Sequence, residues 1–429
     1  MLYALKKNIP LSWVQAYHRC LSWCAAFVYG NPSEKMIVIG VTGTNGKTTT
    51  SYITAMALEA SGFATGCSTT ALFKIGDHIW INESKMTMRG RFALQKLLRD
   101  MVMADIKYVV VETSSQGIEQ FRHAHINFDI CVLTNLTPEH IEAHGGFENY
   151  KQAKIKLFSH MSRSKRKILD GKKIEKVAVL NSECVDAKDF IMPEIEKVLW
   201  YDARDSQRQD MEWGSEFTFK HISCRIQLPG KVNVENAYAA LTVCDSLGIS
   251  IEKAIAKLSH IRGVPGRFER IEEGQYFSVI VDYAPEPASL SALYEVVKKM
   301  PHKKIIHVLG SCGGGRDVAR RSVMGRMASE NTDMVIITNE DPYDDDPVII
   351  MEDVARGARQ ARGSSENIFI FPERRDAIFE AVKCAQEGDI VLLTGKGSET
   401  AIMGPNGSRI PWNEVEIARE AIRAKMMYT

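Results

Sequence analysis

The chain has 429 residues, 45% of them hydrophobic and 25% charged, with 54 Lys+Arg against 53 Asp+Glu. That length predicts two to three domains of ~150 residues, and the composition excludes a disordered, collagenous or coiled-coil chain. A net charge of +1 offers no global basic field for nucleic acid and no acidic tail.

The nine cysteines are odd in number and form no C-x-x-C pair. This excludes a disulfide framework and points to reduced thiols in a cytoplasmic protein. No apolar run reaches the ~18–20 residues that span a bilayer. In chain order, the first element is an amphipathic helix over Leu11–Tyr29. Trp13, Ala16, Tyr17, Cys20, Leu21, Cys24 and Phe27 recur at three- and four-residue spacing. Lys6 and Lys7 precede it, but His18 and Arg19 interrupt the apolar core that a signal peptide needs. The stripe predicts a helix packed on the protein, with a membrane-surface helix as the alternative.

Strands follow. Met36–Val41, Tyr108–Glu112, Ile130–Thr134, Val177–Asn181, Ser278–Asp282, Ile305–Leu309, Met334–Thr338 and Ile390–Thr394 are near-continuously apolar and alternate with helical stretches. Such runs suit parallel strands covered on both faces. The expected class is α/β, with ligands at the carboxyl ends of the strands. Turn-rich breaks at Gly30–Ser33 and Arg262–Arg267 divide the chain. The expected parts are a helical extension (1–35), a central P-loop domain with a parallel-rich sheet (36–266) and a C-terminal Rossmann-like domain (267–429).

After the first strand comes Thr42-Gly43-Thr44-Asn45-Gly46-Lys47-Thr48-Thr49, followed by a helix-compatible stretch. The glycines let backbone N–H groups turn toward phosphate oxygens. Lys47 reaches the β- and γ-phosphates of ATP, and the Thr48 hydroxyl suits Mg²⁺. The strict P-loop has a Gly where Val41 stands, so this is a variant loop. Glu112 ends a later strand, where Mg²⁺ takes a hard oxygen ligand. Thr113 and Ser114 after it also suit a helix N-cap.

The variant loop resembles that of the Mur ligase superfamily, the ATP-dependent amide ligases of peptidoglycan precursor synthesis and their folylpolyglutamate synthetase relatives. Further segments are similar to the family's, in order. Glu112-Thr113-Ser114-Ser115-Gln116 resembles Glu-x-Ser-Ser-His, with Gln116 for His. Thr134–Gly145 resembles the family's Thr-Asn-Leu segment, and His140 there implies a ligand of a second Mg²⁺. Tyr150–Lys154 resembles Tyr-x-x-Ala-Lys, whose Lys is carbamylated and helps place Mg²⁺, here Lys154. Gly230–Ala240 implies that Asn236 contacts the adenine. Pro265-Gly266-Arg267 and Asp282-Tyr283-Ala284-Pro285 imply phosphate and ribose contacts from Arg267 and Asp282, with Pro285 for the family's His. Gly310–Asp317 resembles Gly-Cys-Gly-Gly-Asp-Arg-Asp and implies a carboxylate clamp at Arg316. Gly395-Lys396-Gly397-Ser398-Glu399 resembles Gly-Lys-Gly-His-Glu, and Glu399 would bind the incoming amino group.

The E branch, the UDP-N-acetylmuramoyl-tripeptide synthetases, reads its amino acid at Asp-Asn-Pro-Arg. Here Asp341 and Tyr343 occupy that segment, with five acids in seven residues. The missing Arg fits a cationic side chain such as lysine, and an acidic surface loop is the plainer reading. Thr87, Ser114 and Ser115 fall near where the family holds the muramoyl-peptide acceptor.

The resemblance implies two steps. The acceptor carboxylate attacks the γ-phosphate of ATP to give an acyl phosphate. The amino group then attacks that carbonyl, with the C-terminal domain closed over ATP. In the E branch a UDP-binding domain of roughly a hundred residues precedes the P-loop, whereas about 35 residues do here. This leaves three expectations: a muramoyl-peptide held by fewer contacts, a partner protein that supplies the site, or an acceptor of folylpolyglutamate, cyanophycin or polyglutamate type. A plain P-loop NTPase and a non-catalytic nucleotide-binding partner are the remaining alternatives.

Overall fold

A computed structural model describes residues 10–137, 144–315 and 318–427. The chain forms two compact units. The first takes residues up to Gln209 with Ser215–Ile226 and Lys231–Ile261, and the second takes Asp210–Gly214, Gln227–Gly230 and Arg262–Thr429.

The first unit opens with α1 (Leu11–Val28). Its sheet uses β1 (Ile37–Thr42), β2 (Thr65–Ser68), β3 (Leu72–Ile75), β4 (His78–Ile81), β5 (Tyr108–Glu112), β6 (Ile130–Leu133), β7 (Val177–Asn181) and β8 (Lys197–Tyr201). Their order is β8-β7-β6-β1-β5-β2-β3-β4. Six strands from β8 to β2 run parallel, and β3 and β4 add an antiparallel edge. Every residue of β1, β5, β6 and β7 is buried. That is why their sequences are continuous apolar runs rather than alternating ones. The helices α2 (Lys47–Leu58), α3 (Arg91–Met103), α4 (Ser115–Glu119) and α5 (Phe147–Arg163) connect them. A hairpin of β9 (Gly214–Phe219) and β10 (Ile222–Ile226) precedes α6 (Lys231–Ser246) and α7 (Ile251–Ser259). Val38, Val109, Val111, Leu133, Leu157 and Phe158 share one core. Each such side chain contributes about 1.5–3 kcal/mol by leaving water.

The predicted stripe of α1 faces outward. Trp13, Ala16, Tyr17, Cys20 and Phe27 are exposed, while Leu21 and Cys24 are half-buried. The helix instead docks through small residues, Ser22, Ala25 and Ala26. The Ser22 hydroxyl donates to the Phe121 carbonyl at 2.6 Å, and the Arg19 guanidinium lies 4.7 Å from the Phe121 ring. Small side chains let the helix backbone approach closely, so the bulky aromatic residues take the opposite face.

The second unit is a six-stranded sheet of β11 (Glu269–Ile271), β12 (Ser278–Asp282), β13 (Ile305–Leu309), β14 (Met334–Thr338), β15 (Ile368–Phe371) and β16 (Ile390–Thr394). The order is β11-β12-β16-β13-β14-β15, parallel except at β11. Ile280, Leu309 and Ile337 face one core; Val279, Val281, Val308 and Ile336 face the other. Helices α8 (Pro287–Val297), α9 (Ala319–Asn331), α10 (Pro347–Arg362), α11 (Arg374–Cys384) and α12 (Glu414–Met427) cover these faces, and β17 (Ala401–Met403) pairs with β18 (Arg409–Pro411). All nine cysteines are free thiols. Among the described residues no helix is long and apolar enough to cross a membrane.

Candidate functional site

In the first unit β1 lies between β6 and β5, so the loops after these three strands share one end of the sheet. Open α/β sheets bind ligands at such a carboxyl edge. The loop from β1 turns at Gly43 (φ 150°) and Gly46 (φ 79°). A Cβ on Gly43 would lie 1.9 Å from the Thr134 hydroxyl, and one on Gly46 2.5 Å from Asn236 Oδ1. Only glycine tolerates both the dihedrals and the close approach.

The loop is fastened to the segment after β6. Thr44 N donates to the Asn135 carbonyl at 3.0 Å, and Asn45 N to Asn135 Oδ1 at 2.8 Å. The Thr134 hydroxyl donates to the Asn45 carbonyl at 2.7 Å. Lys47 begins α2, and its Nζ donates to the Thr44 carbonyl at 2.6 Å. Thr48 and Thr49 follow, both buried. Asn236 on α6 accepts from the Thr50 hydroxyl at 2.9 Å, which brings the predicted adenine contact against this loop.

The Thr48 hydroxyl lies 3.1 and 3.0 Å from the two oxygens of Glu112. Thr70 meets the same carboxylate, with its N–H 2.7 Å from Oε2 and its hydroxyl 2.9 Å from Oε1. The Thr70 hydroxyl gives its one proton to that carboxylate, so its oxygen accepts from Thr87 Oγ1 at 2.9 Å. One hydrogen-bonded chain therefore runs Thr48–Glu112–Thr70–Thr87. Glu112 is buried, and an oxygen set of hydroxyls and a carboxylate matches a hard cation such as Mg²⁺. Among the described residues no three His, Cys, Asp or Glu side chains gather at one point. Thr70 escaped the sequence reading. A threonine in a polar stretch has no periodic signal, and it reaches Glu112 only through the pairing of β2 with β5.

Lys154 on α5 is buried. Its Nζ donates to the Gly43 carbonyl at 2.7 Å and lies 4.3 Å from the Tyr150 ring centre. Ser114 is the N-cap of α4, and its hydroxyl accepts from Gly117 N at 3.2 Å. Ser115 hydrogen-bonds the His144 ring at 3.1 Å. Burial lowers the His144 pKa below the ordinary histidine value. His140 and Arg316 lie outside the described residues.

In the second unit Lys396 is fully buried. Its Nζ donates to Asp341 Oδ1 at 2.8 Å, Glu399 Oε2 at 2.6 Å and the Ala401 carbonyl at 2.9 Å. Burial works against its charge, but Glu399 and Asp341 outweigh that and hold its pKa above the ordinary lysine value. The acidic run has internal tasks. Asp341 Oδ1 also accepts from Met403 N at 2.7 Å, and Glu340 accepts from the Cys312 thiol at 2.8 Å. Asp344 accepts from Asn406 N, Asp345 pairs with Arg321 at 3.3 Å, and Asp346 caps α10. Tyr343 takes a left-handed backbone (φ 53°) beside Gly314. Gly395 follows β16, and its N–H donates to the Tyr283 carbonyl at 3.0 Å. Asp282 accepts from Phe268 N at 2.6 Å and Ala284 N at 2.8 Å, and the Arg267 guanidinium lies 4.3 Å from the Tyr283 ring. Burial raises the Asp282 pKa, and Arg267 opposes the rise.

A Mur ligase middle-domain model matches residues 41–244, and a Mur ligase glutamate ligase domain model matches 266–397. A UDP-N-acetylmuramyl-tripeptide synthetase of Roseiflexus sp. (strain RS-1) is 38% identical, over 96% of this chain and 84% of that protein. A UDP-N-acetylmuramoyl-L-alanyl-D-glutamate--2,6-diaminopimelate ligase of Bacillus cereus is 33% identical, over 98% of this chain and 84% of that protein. A solved structure of a ligase of that second name gives a TM-score of 0.60 at 28% identity, covering 91% and 79% of the two chains. Mycobacterium tuberculosis folylpolyglutamate synthase, solved with ADP and AMPPCP, shares the fold with a TM-score of 0.68 at 18% identity, covering 88% and 92%.

Proposed function

The chain belongs to the Mur ligase family, and from that premise we propose a particular acceptor, amino acid and division of labour. The coarse activity is an ATP-dependent, ADP-forming amide ligation in peptidoglycan precursor synthesis. The proposed acceptor is a UDP-N-acetylmuramoyl-dipeptide or a compound like it. The proposed incoming substrate is a diamino acid such as lysine. Tyr343 supports that choice. The acidic run lends it little, because each of its five carboxylates already has a partner within the chain.

The reading rests on the chain Thr48–Glu112–Thr70–Thr87, which joins the start of the nucleotide helix to the expected acceptor segment. Thr48 and Glu112 would hold Mg²⁺, which when bound neutralises charge on the transferring phosphoryl group. His140 and a carbamylated Lys154 are proposed to complete the metal environment.

The loop N–H groups and Lys47 cradle the phosphates and balance charge as the γ-phosphoryl leaves ADP. Thr87, Ser114 and Ser115 orient the acceptor carboxylate, which attacks the γ-phosphorus; the bond to the β,γ-bridging oxygen breaks and ADP departs. In the second unit Glu399, with Lys396 and Asp341 fixing its position, holds the incoming ammonium until it loses a proton. Arg316, Tyr343 and Gly395 complete that subsite, and Arg267, Asp282 and Asn236 hold the nucleotide. The amine attacks the acyl phosphate carbon, the C–O bond breaks, and phosphate leaves.

Lys47→Ala tests the first step. Phosphate release should fall by roughly a hundredfold or more, the scale of losing a preorganised charge contact. Undiminished release would sink the assignment of this loop to ATP.

A further inference from the structure

Two guanidinium groups converge beside the expected acceptor segment, and among the described residues neither meets a carboxylate. Arg91 opens α3, and its Nη2 donates to the Gln120 carbonyl in the loop after α4. Arg122 lies two residues further along that loop. Its Nε and Nη2 donate to Gln120 Oε1 at 3.0 and 2.6 Å, and its Nη1 donates to the Met88 carbonyl, next to Thr87. Gln120 thus gathers both side chains. Arg89, between Thr87 and Arg91 in sequence, sets its guanidinium 4.9 Å from the Phe73 ring. Phe121, between Gln120 and Arg122, is the residue that α1 grips through Ser22 and Arg19.

Charge is out of balance here. Burial lowers the Arg122 pKa, the nearby Arg91 lowers it further, and among the described residues no carboxylate opposes the fall. Burial lowers the Arg91 pKa as well, against only the Tyr17 phenol of α1. The Arg91 Nε is buried without a hydrogen-bond partner among the described residues. Arg91 also stands in the first turn of α3, which holds no acid and no side-chain cap. That end of a helix disfavours a cation. A buried orphan donor, a like-charged neighbour and an adverse helix end each cost stability, and such costs gather where a ligand completes a site.

We propose that Arg91 and Arg122, with Arg89 beside them, form a phosphate subsite that receives a diphosphate carried by the acceptor. This rests on the reading of Thr87 as an acceptor residue. A single carboxylate is satisfied by one bidentate guanidinium, whereas neighbouring guanidiniums without counter-charge match a group with several oxygens and more than one negative charge. Arg122 is held on three sides by Gln120 and Met88. Arg91 makes one hydrogen bond, so Arg91 makes the direct contact and Arg122 adds its charge. The subsite holds the acceptor away from its reacting carboxylate, and Thr87 and Thr70 join it to Glu112.

The test uses the full chain with the nucleotide loop filled by AMPPCP and Mg²⁺, and calorimetry with UDP as the diphosphate probe. The chain should bind UDP and not uridine. Arg91→Gln should weaken UDP binding by about tenfold or more, the scale of a lost hydrogen bond to a charged group. Arg91→Lys keeps the charge and should bind UDP more tightly than Arg91→Gln does. No UDP binding by the parent chain would overturn the proposal, and so would undiminished binding by Arg91→Gln. In turnover, Arg91→Gln should raise the KM of UDP-N-acetylmuramoyl-L-alanyl-D-glutamate, with the KM of ATP and of the same muramoyl-dipeptide without UDP little changed. An equal rise for both acceptors would overturn the phosphate assignment. Absence of turnover with either acceptor would count against the ligase reading, and the UDP comparison would still decide the subsite.

Discussion

Both oxygens of Glu112 are engaged, by Thr48 and by the N–H and hydroxyl of Thr70. Thr70 is therefore a positioning residue for the carboxylate, and its hydroxyl is also the link to Thr87. In Thr70→Val the N–H contact survives and the hydroxyl contact is lost. Outer contacts of this type typically change metal affinity by 10–100-fold. The Mg²⁺ concentration that half-saturates phosphate release should rise by about tenfold, with metal-free nucleotide binding retained. An unchanged Mg²⁺ profile would remove Thr70 from the site. Residues of this kind were illegible in the sequence, whereas Gly43, Gly46, Lys47 and Thr48 were legible because phosphate binding imposes a fixed local spacing. The acidic run is less legible. Its charge pattern is local, but the partners that consume it, Lys396, Arg321 and the backbone near residue 403, are distant in sequence.

Elements of the second unit are tied by a buried ion pair. Arg374 on α11 donates through Nε to Glu414 Oε2 of α12 at 2.9 Å, and through Nη2 to the Thr394 carbonyl at 2.7 Å. Both side chains are fully buried. Glu414→Ala strands the guanidinium and should cost about 3–5 kcal/mol in urea unfolding; a cost below about 1 kcal/mol would contradict the pairing. Two buried histidines add a pH dependence. Burial, with His160 nearby, lowers His123 to about 3, and burial beside Arg374 lowers His307 to about 3. Both stay neutral in the fold, while an unfolded histidine titrates near 6.5. The unfolded chain thus binds more protons between about 3 and 6.5. Stability is complete above about pH 6.5 and is lost as pH falls toward 3. His123→Phe should flatten part of that slope in urea midpoints measured against pH. An identical slope in the variant would locate the acid sensitivity elsewhere.

Across the whole molecule, all eight strands read from apolar runs occur within a residue of their expected ends, because burial on both faces leaves a continuous signature. The strands Thr65–Ser68, Leu72–Ile75 and His78–Ile81 gave no such signature. They are short and lie toward one edge of the sheet, so pairing rather than composition defines them. The α1 periodicity revealed an apolar face but not its direction, which depends on the small residues opposite it. The ligase assignment, by contrast, was legible along most of the chain, since its motifs recur in a fixed order. The most direct test of the account is phosphate release from ATP and Mg²⁺ with UDP-N-acetylmuramoyl-L-alanyl-D-glutamate and a panel of amino acids, with products weighed by mass spectrometry. The account predicts release only when this acceptor and a diamino acid such as lysine are both present, with one amide product. ATP binding without acceptor-stimulated release, or product from a different acceptor alone, would contradict it.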